Sequence, residues 1–245
     1  MPILVAECVT KSFGGNRVLS AGSLRAEPGQ VRVIFGRNGS GKSTLMKIAS
    51  GWIAADSGVV HFRGRALLRP RHAVLARGGL FYLPDHELLS NAFTVGWQLE
   101  LFARHFGRRT ARDSAARAEI AHLVDRRPWQ LSGGELRRAE LALVLARGPE
   151  CLLADEPYRG IAPADHDRLT RIFRSIAAEG CAVVVTGHEV PTLLEACDHV
   201  TWCTAGTTYE LGPPAVAAAH EEFRRGYLGM ARMERVTVDR RSVNP

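Results

Sequence analysis

Several things are scarce in this chain, and each scarcity closes a door. No apolar run comes near the roughly 20 residues that a membrane-spanning helix needs, so none is expected. The five cysteines (Cys8, Cys151, Cys181, Cys197, Cys203) are odd in number and form no C-x-x-C pair. That argues against a disulfide framework or a cysteine metal site, and for reduced thiols in a cytosol. The opening "MPILVAECVTKSF" lacks a basic leader and carries Glu7 inside its apolar stretch, so no secretory signal is expected. Low-complexity tracts, a collagen-like period and internal repeats are all missing. Lysine is the scarce cation: Lys11, Lys42 and Lys47 are three among 32 basic residues, the others being arginine. A lysine at a given position is therefore informative.

What is present suffices for one large domain, with 245 residues of which 46% are apolar. The formal charge is +7, and arginines gather in "FRGRALLRPRHAVLAR", "ARHFGRRTARDSAARAE" and "ARMERVTVDRR". A solvated basic face is the first reading of each cluster; a surface for membrane or nucleic acid is the second.

Along the chain, "ILVAECVT", "VLSAGSLRA" and "QVRVIF" read as strands, the last two parted by a Pro28-Gly29 turn. A glycine loop and the helical "KSTLMKIAS" follow. "GVVHFRG" reads as a hairpin arm and "GGLFYLP" as a buried strand stopped by Pro84. Between about 93 and 127, alanine, arginine and glutamate with leucines at helical intervals indicate a helical insertion. A helix after "LSGG" stops at Gly148-Pro149, and Leu169, Ile172, Phe173 and Ile176 give an amphipathic helix closing at Gly180. "ECLLAD" and "CAVVVTG" read as buried strands, and "HVTWCTAGTTYELG" as a hairpin. Buried strands alternating with helices predict an α/β fold with a mostly parallel sheet. Ligands of such sheets sit beyond the carboxyl ends of the strands.

Two pieces of chemistry meet at that edge. "GRNGSGKST", Gly36 to Thr44, fits G-x-x-x-x-G-K-[ST] between a strand and a helix. Its backbone N–H groups and the helix N-terminus would cradle phosphate oxygens. Lys42 would reach the β- and γ-phosphates, and the Ser43 hydroxyl would ligate Mg²⁺. "CLLADEP" ends a buried strand in two carboxylates, which is costly without a cation. Asp155 would hold the Mg²⁺ through water or directly, and Glu156 would polarise an attacking water. "LSGGE" stays open at this level: Ser132 and Glu135 satisfy a capping box, yet the two glycines of its first turn cost helix stability that capping does not require. A backbone that must approach another molecule closely would explain them.

In this order "GRNGSGKST", "LSGGE", "CLLADEP" and "VVVTGH" resemble the ATP-binding-cassette ATPase family, over about residues 3–229. The resemblance implies a P-loop NTPase core with a mostly parallel sheet, an antiparallel β subdomain and a small α-helical subdomain. It implies an ATPase domain at 1–229 with its helical insertion at about 86–130, and a basic tail at 230–245. ATP and Mg²⁺ are the implied ligands. Gly36, Arg37, Asn38, Gly39, Ser40, Gly41, Lys42, Ser43 and Thr44 would hold the phosphates, Phe13 would stack on adenine, and His188 would contact the γ-phosphate and position water. An ordinary core phenylalanine is the other reading of Phe13. The family works as a head-to-tail dimer, so Ser132, Gly133 and Gly134 would cover the ATP of a second, identical or different, ATPase subunit. The implied function is to energise a separate transmembrane permease from the cytoplasmic, inner face of the membrane.

Two positions depart from the family pattern. Asp85 stands where glutamine is usual; a carboxylate there still suits Mg²⁺ or water but adds negative charge. Ala162, in "GIAP", replaces an aspartate that ties the two sites together. "EEFRRGYLG" and "TGHEVPTLLEACDHV" resemble ATPases of lipopolysaccharide export, whereas "GIAP" and Asp85 resemble those of branched-chain amino acid uptake. Two rival functions are a soluble cassette ATPase acting on ribosome or DNA and a low-turnover ATP-binding regulatory cassette. Nucleic acid is not the expected partner, because such proteins carry two cassettes or a long coiled-coil insertion. The Asp85 loop and the arginines of 104–127 are the expected docking face, with Arg108 and Arg109 the residues to reverse.

Overall fold

The computed structural model describes residues 1–229; the basic tail at 230–245 lies outside the described residues. The chain begins with strands β1 (Leu4–Phe13) and β2 (Asn16–Ala26), joined by a tight hairpin, then β3 (Val31–Phe35), helix α1 (Lys42–Ala49), β4 (Ser57–Phe62) and β5 (Arg65–Leu67). Helix α2 (His72–Arg77) leads into β6 (Leu80–Leu83). The predicted insertion is helical, with α3 (Val95–Phe106), α4 (Ala111–Arg117) and short 3₁₀ turns at Ala121–Leu123 and Pro128–Gln130. After them come α5 (Gly133–Arg147), β7 (Cys151–Ala154), α6 (Pro163–Ala178), β8 (Ala182–Gly187) and α7 (Val190–Ala196). The hairpin β9 (His199–Thr204) and β10 (Thr207–Gly212) is followed by α8 (Pro214–Ala219), α9 (Glu221–Phe223) and a π-helical turn, Arg224–Leu228.

The strands form one sheet in the order β5-β4-β1-β2-β10-β9-β3-β8-β7-β6. Strands β9, β3, β8, β7 and β6 run parallel, as the buried apolar runs predict. The other half is antiparallel: hairpins join β1 with β2, β4 with β5 and β9 with β10, and β4 returns after α1 to pair with β1. A parallel bridge between Thr207 and Ala21 joins the halves.

Each central strand feeds two cores, as a two-residue side-chain period requires. On one face, Val31, Val33 and Phe35 of β3, Leu152 and Ala154 of β7 and Val183 and Val185 of β8 pack with the helical insertion, α5 and α6. On the other, Ile34, Cys151, Leu153, Ala182 and Val184 pack with Leu45, Met46, Ile48 and Ala49 of α1 and with the antiparallel strands. The same alternation sends Asp155, two residues past Leu153, and Thr186, two past Val184, to the face of α1. Register thus decides which strand-end side chains meet the glycine loop.

Helix α5 is buried nearly all round from Arg137 to Ala146, with Ser132 at its N-terminus and left-handed Gly148 at its C-terminus. The helices α2, α7 and α8 were not expected, since six or seven residues are too few to display a period of 3.6. Two arginines of the expected docking face are ion-paired within the chain. Arg109 pairs with Asp113 and Glu179, and Arg117 with the same Glu179. These cations fasten the insertion to the end of α6 rather than stand free.

Candidate functional site

The loop from Gly36 to Gly41 leaves β3 and enters α1 through Gly41, whose φ of 105° belongs to glycine. A Cβ there would lie 2.6 Å from the Leu19 side chain, so the turn is pressed against β2. Below the loop, the Cys203 thiol donates to the Ser40 carbonyl at 3.1 Å. The Lys42 ammonium folds back along the loop, donating to the carbonyls of Gly36 at 2.8 Å and Arg37 at 3.2 Å, and lies 3.5 Å from Glu156 Oε1. The expected meeting of the lysine and the acidic strand end is thus present in space.

Asp155 is fully buried and accounts for both of its oxygens. Oδ1 accepts from the Ser43 hydroxyl at 3.1 Å and the Thr186 hydroxyl at 2.6 Å; Oδ2 accepts from the Tyr82 phenol at 3.0 Å. Burial, with the Asp155 charge beside it, pushes the Tyr82 phenol well above its ordinary value, so Tyr82 remains a donor. Thr186 has a second task, accepting the Glu156 N–H at 2.8 Å. Glu156 has a φ of 44°, a left-handed conformation that costs a non-glycine residue roughly 1–3 kcal/mol. That backbone bend carries the carboxylate out of the strand toward Lys42. His188, half exposed after β8, has Nδ1 at 4.0 Å from Glu156 Oε2 and Nε2 at 3.2 Å from Glu189 Oε1.

These groups border a cleft of ≈ 250 Å³ lined by Val18, residues 38–44, Asp85, Glu156 and Arg159. Its chemistry fits a phosphate chain. The glycine loop and the start of α1 line it, a setting whose backbone N–H groups suit phosphate oxygens, and the buried Ser40 hydroxyl has no hydrogen-bond partner among the described residues. For a divalent ion, Ser43 and Asp155 supply adjacent hard oxygens, while no group of three His, Cys, Asp or Glu among the described residues could hold a metal alone. Such a donor pair fits magnesium, which takes one or two carboxylates and completes its shell with phosphate and water. Asp85 lines the cleft from beyond β6 and is bound by Arg159 at 3.5 Å and His86 at 3.3 Å.

Phe13 is exposed, not a core residue, at the tip of the β1–β2 hairpin with the Lys11 ammonium 5.4 Å above its ring. The Gly14-Gly15 turn, with positive φ at both residues, puts it there. It does not line the phosphate cleft.

Ser132 and its glycines form a second, separate feature. The capping box is real: the Ser132 hydroxyl accepts the Glu135 N–H at 3.3 Å, and Glu135 accepts the Ser132 N–H at 2.8 Å. That amide holds the Glu135 carboxyl below its usual range. Gly134 is explained inside the chain, because a Cβ there would fall 2.3 Å from the Asp165 carboxylate of α6. Gly133 is not, its Cβ meeting only the Gly160 carbonyl at 3.4 Å. Packing within the chain thus accounts for the missing side chain at Gly134 and not at Gly133. Among the described residues no hydrogen bond links Ser132, Gly133 or Gly134 to residues 36–44. Gly133 instead borders a wider cleft of ≈ 540 Å³ that shares Asp85 and Arg159 with the phosphate cleft.

Comparison with known proteins places the chain in a family. A family model described as ABC transporter matches residues 19–159, more than half the chain. The chain belongs to the ABC transporter family. The lipopolysaccharide export ATP-binding protein LptB of Haemophilus influenzae is 30% identical over 237 residues, 94% of this chain and 98% of that protein. The zinc import ATP-binding protein ZnuC of Alcanivorax borkumensis is 32% identical, covering 92% and 85%. A solved ATP-binding cassette of an ABC transporter in its ADP conformation superposes with a TM-score of 0.81 at 24% identity, over 94% of this chain and 99% of that one. The fold is that of the P-loop NTPases. The protein is the ATP-binding, ATP-hydrolysing subunit that energises transport through membrane subunits.

Sequence reasoning missed four residues of the site. Thr186 and Tyr82 carried a signal, each being a hydroxyl near the end of an otherwise apolar strand. Arg159 and Cys203 carried none, since their places depend on loop geometry and on the β9–β3 pairing.

Proposed function

We propose that ATP lies with its phosphates in the loop Gly36, Arg37, Asn38, Gly39, Ser40, Gly41, Lys42, Ser43, Thr44, with Lys42 exchanging its own loop carbonyls for the β- and γ-phosphate oxygens. Ser43 and Asp155, with Asp85, would hold Mg²⁺, whose chemistry is to offset phosphate charge and orient the γ-phosphate. Glu156 polarises the attacking water as general base. His188, beside Glu156, contacts the γ-phosphate and fixes that water. Phe13 stacks on adenine from the hairpin tip. The meeting of Lys42 with Glu156 and of Ser43 with Asp155 in one cleft carries this reading.

Ser132, Gly133 and Gly134 act on the nucleotide of a second ATPase subunit in a head-to-tail dimer. Supporting this, the turn satisfies itself through its own cap, and Gly133 is left small for no reason within the chain. No helix among the described residues is long and apolar enough to cross a membrane. We place the subunit in the cytoplasm, peripheral on the inner face of the membrane and docked to a transmembrane permease. The stacked Phe93–Trp97 pair, with centroids 4.1 Å apart, and Leu101 on α3 form an exposed apolar surface suited to that docking. Steady-state phosphate release with Mg²⁺ tests the chemistry: the wild-type chain hydrolyses ATP, and Glu156→Gln binds it without release. Phosphate release by Glu156→Gln at the wild-type rate would remove Glu156 from the mechanism.

A further inference from the structure

The charged side chains lining the phosphate cleft are Lys42, Asp85, Glu156 and Arg159, two cations and two anions. Without Arg159 the lining would be net negative where a triphosphate must enter. Arg159 is well placed to act on both. Its backbone is fixed: the Arg159 N–H donates to the Glu156 carbonyl at 3.1 Å, and the neighbouring Tyr158 is buried, its hydroxyl 2.9 Å from that of Thr170. Its side chain is 63% exposed and meets Asp85 only at 3.5 Å. A long, solvated ion pair is weak and readily exchanged. Arg159 also lines the cleft at Gly133, so it borders both the phosphate cleft and the cleft of the serine-glycine turn.

We propose that Arg159 is the second cation of the phosphate cleft and determines its preference for a triphosphate, by offsetting the Asp85 carboxylate and turning toward the terminal phosphate when ATP enters. A planar guanidinium suits paired phosphate oxygens. The proposal rests on the nucleotide reading above and adds a residue that the sequence motifs do not include. Asp85 is then tolerable only because Arg159 accompanies it.

Equilibrium binding of Mg·ATP and Mg·ADP to the full chain, by calorimetry at saturating magnesium, tests it. Arg159→Ala should weaken ATP about tenfold and ADP less than about threefold, since removing one charge near the terminal phosphate acts mainly on the longer chain. Arg159→Lys, which keeps a positive charge in the cleft, should weaken ATP less than Arg159→Ala does. Arg159→Gln carries the same expectation as Arg159→Ala should the alanine variant fold poorly. ATP binding unchanged by Arg159→Ala, equal losses for ATP and ADP, or a loss in Arg159→Lys as large as in Arg159→Ala would each overturn the assignment. A wild-type chain that binds neither nucleotide would overturn the site reading together with it, whereas normal wild-type binding with an indifferent Arg159→Ala overturns this inference alone.

Discussion

The phosphate loop and the serine-glycine turn both sit at helix N-termini, yet they differ in how far the chain completes them. The first is interlocked. Ser43, Tyr82 and Thr186 all converge on buried Asp155, Lys42 closes on Glu156, and the loop rests on Cys203 and Leu19. The second closes on itself through Ser132 and Glu135 and touches the first nowhere by hydrogen bond among the described residues. One region is closed by contacts within the chain; the other is capped by itself alone. Their difference supports a site divided between two copies.

The largest effect should come from the interlocked side. Glu156→Gln should lower the rate of phosphate release by about 10²–10⁴-fold, the usual contribution of a general base, while calorimetry finds ATP still bound. A change below tenfold would mean that the water is activated elsewhere.

On the other side, the two glycines should part company. Gly134→Ala drives a methyl into Asp165 and should destabilise the fold by about 1–3 kcal/mol, the usual cost of overpacking. Gly133→Ala meets no such obstacle and should leave thermal unfolding nearly unchanged, yet it should depress hydrolysis by at least about tenfold where the proposed second subunit would approach. Full activity in a stable Gly133→Ala chain would break the comparison.

Smaller changes sharpen it. Asp85→Gln should shift the magnesium dependence of hydrolysis, because a neutral amide replaces a carboxylate in the cleft; superimposable titrations would argue that Asp85 is indifferent to the ion. Ala162 occupies the N-cap of α6 with no side chain to cap it. Ala162→Asp should therefore stabilise the chain by about 1 kcal/mol, or roughly 2–4 °C in Tm for a domain of this size. Hydrolysis should rise little, since Glu156 and His188 remain in place.

The legible part of this protein was whatever local pattern dictates. Apolar runs gave β3, β7 and β8, helical spacing gave α6, and "GRNGSGKST" with "LLADE" gave both halves of the phosphate site. Hairpin patterns and the family resemblance gave the antiparallel β subdomain, but not the single parallel bridge between Thr207 and Ala21 that joins it to the rest of the sheet. Nor could they show that Arg109 and Arg117 are spent on Glu179, or that Gly134 is small for the sake of Asp165. Arg159 was illegible for the same reason: its partner Asp85 is distant in sequence, and only the return of the chain beside β6 brings the two together.

Mixing two inactive chains tests the divided site most directly. Lys42→Ala removes the loop cation, and Ser132→Asp keeps the helix cap while setting a carboxylate where phosphate would lie. Each alone should hydrolyse almost no ATP. Combined in equal amounts, they should regain a substantial fraction of activity, because mixed pairs contain one intact site. Activity that stays at the level of the separate variants would contradict a site shared between copies.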